Sequence, residues 1–171
     1  SGGTDTIQLI ASNMYGSDTT YHVVFVCGTI TDIPWVESFE NAANLDCWTI
    51  LDLDGSSNDN WSRYYSSYSS HTGTYSLRSY YNSSSAANDW LITPAVEIPT
   101  NAEGLVLTWF VKGSTFSSNV SHYSVKISTT GNNVADFTTT LFEESYGEDY
   151  INRSASLENY AGERIYIAFI H

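Results

Sequence analysis

His122-Tyr123-Ser124-Val125-Lys126-Ile127-Ser128 alternates without a slip between polar and apolar side chains. Successive side chains of an extended backbone point to opposite faces. This pattern therefore buries Tyr123, Val125 and Ile127 and turns His122, Ser124, Lys126 and Ser128 toward water. A helix would scatter the same residues around its circumference. The stretch predicts a half-buried strand, and its neighbours in sequence repeat the theme. Leu105, Leu107, Trp109 and Val111 alternate with Val106, Thr108 and Phe110, an apolar run suited to a central strand. Further strands are expected at residues 6–11, 21–27, 35–40, 75–81, 90–98, 138–144 and 164–170. Gly/Asn/Ser/Asp clusters at 54–60, 66–73, 82–88, 113–119 and 131–133 supply the turns. Near 133–137 one helical turn is plausible, and nothing longer is. Many short strands joined by turn clusters argue for an all-β, two-sheet sandwich.

Composition bounds the chemistry. The chain has 171 residues, with 19 acidic and 6 basic side chains and a formal net charge of −13. A surface of this sign repels phosphate backbones, so nucleic acid is excluded as a partner. No apolar run approaches the length of a membrane span, so no membrane insertion is expected. Cys27 and Cys47 do not make a disulfide-dense framework, and pairing and buried free thiols both stay open. His-Glu-x-x-His, Gly-x-Ser-x-Gly, a phosphate-cradling glycine loop and the dinucleotide fingerprint are all missing. His22, His71, His122 and His171 are scattered, and Glu143-Glu144 and Glu148-Asp149 read as solvated surface. No catalytic residue is expected.

Two features point to binding. Asp52-Leu53-Asp54-Gly55-Ser56-Ser57-Asn58-Asp59-Asn60 puts oxygen donors at alternate positions around a glycine, as a hard cation with six to eight ligands requires. It is not an EF-hand, because the sixth position is Ser57 and the twelfth is Arg63. The same residues also suit a solvated turn capped by Asx side chains, and both readings stand. Secondly, Tyr64, Tyr65 and Tyr68 in a Ser-rich stretch, and Phe116 in a Gly/Ser stretch, offer stacking area beside adaptable hydroxyls. They read either as a recognition surface or as cover for the sandwich rim.

Ordered motifs then carry a resemblance. Ser38-Phe39-Glu40-Asn41, Trp48-Thr49-Ile50, Asp52-x-Asp54-Gly55 and Asn60-Trp61 open the series. His71-Thr72-Gly73-Thr74-Tyr75-Ser76-Leu77, Asn88-Asp89-Trp90-Leu91-Ile92-Thr93-Pro94, Leu107-Thr108-Trp109 and Tyr166-Ile167-Ala168-Phe169-Ile170-His171 continue it. Together they resemble the cleaved-adhesin domains, the haemagglutinin/adhesin repeats of gingipain-type proteases and Bacteroidetes surface proteins, and are more distantly similar to MAM domains. The resemblance implies a jelly-roll β-sandwich over residues 35–171, truncated before its last strand. It also implies a structural calcium ion. Ser38 and Glu40 would supply oxygens from a first strand, and Asp52, Asp54 and Ser56 from the following loop. His71 and Gly73 would give carbonyls, and Asn88 an amide oxygen. The implied function is non-catalytic adhesion to host surface or matrix proteins or to glycans, within a secreted or surface multidomain protein. The alternative is a carbohydrate-binding module of a polysaccharide-degrading enzyme.

Upstream, residues 6–13 and 19–26 read as a hairpin joined by Met14-Tyr15-Gly16-Ser17-Asp18, and Ala11-Ser12-Asn13-x-Tyr15-Gly16-Ser17-Asp18 resembles the closing hairpin of PKD-type domains. Two strands cannot bury a core alone. Residues 1–28 are therefore expected to be the last part of an immunoglobulin-like neighbouring domain, with residues 29–34 as linker.

Overall fold

The computed structural model describes residues 2–55, 60–80, 86–113, 121–147 and 149–171. Its strands are β1 (Gly2–Asn13), β2 (Gly16–Cys27), β3 (Thr49–Asp52), β4 (Ser62–Tyr65), β5 (Tyr75–Arg78) and β6 (Asp89–Ile92). They continue with β7 (Val96–Glu97), β8 (Val106–Val111), β9 (Ser121–Ser128), β10 (Thr139–Tyr146), β11 (Ile151–Ser156) and β12 (Arg164–Ile170). A principal antiparallel sheet runs β10-β9-β12-β6-β3, with β7 beside the start of β12. The pairs β8–β11, β4–β5 and β1–β2 form three smaller sheets.

The alternating stretch is β9, the neighbour of β12. Tyr123, Val125 and Ile127 are buried, and so are Ile165 and Ile167 of β12. Each such side chain contributes about 1.5–3 kcal/mol by leaving water. Leu107, Trp109 and Val111 of β8 pack onto this layer from the opposite side, which makes the fold a two-layer β-sandwich. Residues 90–98, expected as one strand, are two. Pro94 has no N–H to give a ladder, so pairing lapses between β6 and β7. Thr93 bridges the lapse, donating its backbone N–H to Ile167 O (2.9 Å) and accepting from Ile167 N on its hydroxyl (3.0 Å).

Several expectations need correction. Residues 35–40 are irregular rather than a strand. Phe39 takes φ +62°, and its N–H is bound by Glu37 Oε1 at 2.7 Å, so local side-chain bonding replaces a ladder there. β8 is not a central strand: its outward Val106 and Phe110 are each about half exposed, and its partner in the described sheet is β11. β4 and β11 lack an apolar stripe because Ser, Arg and Asn interrupt or dilute it, and β3, Thr49–Asp52, is too short to show alternation. Glu144 is not solvated surface either. Arg153 holds it with a bidentate pair (2.7–3.0 Å), and Tyr123 OH donates to it at 2.8 Å while accepting from Trp109 Nε1 at 3.1 Å. Tyr123 and Glu144 are partners across β9–β10, and Trp109 and Arg153 across β8–β11, so the chain of bonds ties the two layers. The Arg153 guanidinium holds the Glu144 carboxyl below the usual range, and burial pushes the Tyr123 phenol up.

The β1–β2 hairpin stands apart, with Asn13 opposite Gly16, so its turn is Met14-Tyr15 alone and Gly16-Ser17-Asp18, expected in the turn, already pair with β1. Cys27 and Cys47 form a disulfide that fastens the end of β2 to the 3-10 turn Ala42–Cys47. Just beyond, Ile30 enters the sandwich core beside Val96, its N–H bound to Ala95 O and its carbonyl to Glu97 N, each at 2.8 Å.

Candidate metal centre

β3 and β6 run antiparallel with Asp52 opposite Asp89, so both side chains lie on one face at the sheet edge. The chain turns directly after β3, and Gly55 adopts φ +80°, a conformation costly for other residues. Asp52 Oδ1 accepts the Gly55 N–H at 2.9 Å, an Asx-type closure that brings Asp54 back over the strand end. Asp54 Oδ2 accepts from Asn88 N at 3.3 Å, and Leu53 N donates to Asn88 O at 3.1 Å. One oxygen each from Asp52, Asp54 and Asp89 falls within 4.8 Å of the others. That spread matches the span across a calcium coordination sphere, about twice a ligand distance of 2.4 Å. Three carboxylates this close repel one another unless a cation sits among them, and Asp89 is fully buried. All the converging donors are hard oxygens, so calcium fits the set.

Asp89 is held on several sides. Its oxygen Oδ2 accepts from Ser79 Oγ (2.9 Å), and its carbonyl accepts from Trp61 Nε1 (3.1 Å) and His171 N (3.1 Å). Ser79 Oγ lies 2.7 Å from His171 Nδ1. With its one proton on Asp89, that hydroxyl accepts from the imidazole. Nucleophile activation needs the opposite polarity, so the trio positions a carboxylate.

The expected ligands divide into two groups. Asp52 and Asp54 converge, while Ser56 lies outside the described residues. Asn88 is adjacent, but its amide oxygen accepts from Trp90 Nε1 at 2.8 Å, and its backbone carries the loop contacts. Glu40 lies elsewhere, against Gly73. Its carboxylate accepts from Thr74 N (2.9 Å), Thr74 Oγ1 (3.0 Å) and Tyr75 N (2.8 Å), which hold its pKa below the usual 4.5. Gly73 has φ +69°, and a Cβ there would stand 2.5 Å from Glu40 Oε1, so the glycine admits the carboxylate to the turn. Arg63 braces the same corner from Phe39 O and Glu40 O, both at 2.6 Å. Ser38 is exposed, and the His71 ring stacks on Phe110. Sequence reasoning missed Asp89, which the β3–β6 register alone brings opposite Asp52.

The aromatic candidates also separate. Tyr64 is not in a loop but in β4, packed under the Arg78 guanidinium. Tyr65 points to the other face, 66% exposed and edge-on to Tyr75 at 5.2 Å. Tyr68 is 95% exposed, and Phe116 lies outside the described residues.

Comparison with known proteins now adds identity to geometry. The family model described as Cleaved Adhesin Domain matches residues 32–171. Haemagglutinin A of Porphyromonas gingivalis is 33% identical over 162 residues, covering 79% of this chain, while the chain spans only 6% of that relative. The K1 cleaved adhesin domain of Lys-gingipain from P. gingivalis W83 superposes with a TM-score of 0.61 at 24% identity, covering 79% of this chain and 85% of that one. The K3 domain of the same protein gives a TM-score of 0.58 at 25% identity, with coverage of 73% and 79%. From residue 32 onward, this chain belongs to the cleaved adhesin domain family.

Proposed function

We propose that the chain is a calcium-stabilised, non-catalytic adhesion module of a secreted or surface multidomain protein, and that it captures host proteins or glycans. Its family is one of adhesion domains rather than enzymes. The observation that carries the calcium is the meeting of Asp52, Asp54 and Asp89. A bound ion would fix the β3 turn against β6 and so pre-organise the neighbouring surface, which lowers the ordering cost of binding. The Cys27–Cys47 disulfide supports an oxidising, extracellular setting.

The test is capture of the chain on a panel of matrix proteins, erythrocyte membranes and glycans, in calcium and in chelator. Saturable binding that chelator weakens is the expected result. Hydrolysis of a panel member, or no capture on any of them, would overturn the reading in favour of an enzyme or a spacer.

A further inference from the structure

The two arginines of the β4–β5 hairpin are used in opposite ways. Arg63 spends its guanidinium on Phe39 O and Glu40 O while covering the Tyr75 ring at 3.1 Å. Arg78, on the other face, lies 3.7 Å from the Tyr64 ring centre and 4.6 Å from that of Tyr80. Its guanidinium has no hydrogen-bond or ion-pair partner among the described residues, and its Nε is buried. The described ion pair goes to Arg153 instead. In a chain of net charge −13, a guanidinium packed on two aromatic rings and without an acceptor is a fixed cation awaiting an anion. Its planar fork matches a carboxylate.

The surroundings narrow the class of ligand. Tyr64 faces Ser76 across the hairpin. Ser76 lies beside the Tyr150 phenol, which donates to Ser69 O at 2.5 Å. Tyr150 meets His71 edge-on at 5.3 Å, and His71 stacks on Phe110 at 3.6 Å and 15°. Lys112 stands 5.7 Å over the Tyr150 ring. Tyr80, Arg78, Tyr64, Tyr150, His71 and Phe110 thus form a connected strip with hydroxyls along it and two of the chain's six basic residues on it. Tyr80 and Phe110 are each about half exposed. Aromatic faces interspersed with hydroxyl groups suit sugar rings better than they suit a peptide, which needs side-chain pockets or a ladder.

We propose that Arg78, packed on the Tyr64 and Tyr80 rings, anchors the carboxylate of an acidic sugar whose neighbouring rings lie along this strip. The inference rests on the adhesion reading and names one ligand class for it. The full chain is titrated calorimetrically, in calcium, with a hyaluronan hexasaccharide as the uronate probe and with sialyllactose as the sialate probe. The carboxyl-reduced hexasaccharide and a Glu-rich peptide serve as comparators. Binding of at least one acidic sugar, with about tenfold loss on carboxyl reduction, is expected. Arg78→Lys should lose a similar factor, since an ammonium lacks the stacked fork. Tyr80→Ala, at an exposed position, should weaken binding without lowering the melting temperature, and it decides the matter if Arg78→Lys does not fold. The site is overturned if neither sugar binds, if the reduced sugar binds equally, if the peptide binds better, or if the folded variants bind as the parent does. Chelator-sensitive capture of matrix proteins alongside any of these results would leave the adhesion reading standing.

Discussion

The β1–β2 hairpin and the sandwich are built from the same kind of sequence and end in opposite states. In the hairpin, twelve residue pairs form an unbroken ladder, yet Ile7, Leu9, Ile10, Tyr21 and Val23 are all more than half exposed. In β12, seven residues suffice to place Ile165, Ile167 and Ala168 at 0–3% exposure. Alternation and register make a strand, and only a second layer makes a core. The hairpin is held to the rest by the disulfide and by a few contacts around it, so its stability and that of the sandwich should respond to different perturbations.

Side-chain truncation separates the hairpin from the sandwich most sharply. Ile167→Ala should lower the stability of the sandwich by about 2–5 kcal/mol through a buried cavity, whereas Leu9→Ala should change it by less than about 0.5 kcal/mol. Urea denaturation followed by tryptophan fluorescence reads both, since Trp90 and Trp109 report on the sandwich. Next in size is the staple. The disulfide closes a loop between positions 27 and 47, a constraint worth about 3 kcal/mol by chain entropy. Replacing both cysteines by serine should speed proteolysis within residues 2–29 while the sandwich stays resistant. Equal cleavage rates in parent and variant would show that the hairpin is held by something else.

Smaller still is the pair that ties the layers. A double-mutant cycle over Glu144→Gln and Arg153→Met should show coupling of about 1 kcal/mol, modest because both side chains keep about a fifth of their exposure. The subtlest effect is on acid stability. Glu40 and Glu144 both have folded pKa values below the usual 4.5. Each contributes stability that is present above that value and lost as pH falls through the lower folded one. Glu40→Gln should therefore lower stability at neutral pH and flatten its decline below pH 4.5. An unchanged acid limb would show that Thr74 and Tyr75 do not need the charge.

Much of this was legible in the sequence. Period-2 alternation announced β9, and the expected strand Arg164–Ile170 is β12 from end to end, with Ile165 and Ile167 in one core cluster and Ala168 in the other. β4 was hidden because Ser62-Arg63-Tyr64-Tyr65 puts an Arg–Tyr stack on each face, and no apolar stripe results. Residues 35–40 failed for the opposite reason: their apolar residues looked like a strand, but Glu37 and Arg63 bind the backbone groups a ladder would use. In the candidate metal centre, Asp52-x-Asp54-Gly55 could be read because a glycine-closed turn is local. Asp89 could not, because its relation to Asp52 exists only through the β3–β6 register. Glu40 and Gly73, both expected as calcium ligands, lie against each other, and Glu40 organises the turn through Thr74 and Tyr75.

The central claim is that the carboxylates of Asp52, Asp54 and Asp89 hold an ion on which the sandwich depends. Thermal melting in calcium and in chelator tests it most directly, run on the parent and on an Asp52→Asn, Asp54→Asn double variant. The parent should melt higher in calcium and lower on chelation, and the variant should respond to neither. Superimposable parent melts in calcium and in chelator would contradict the claim.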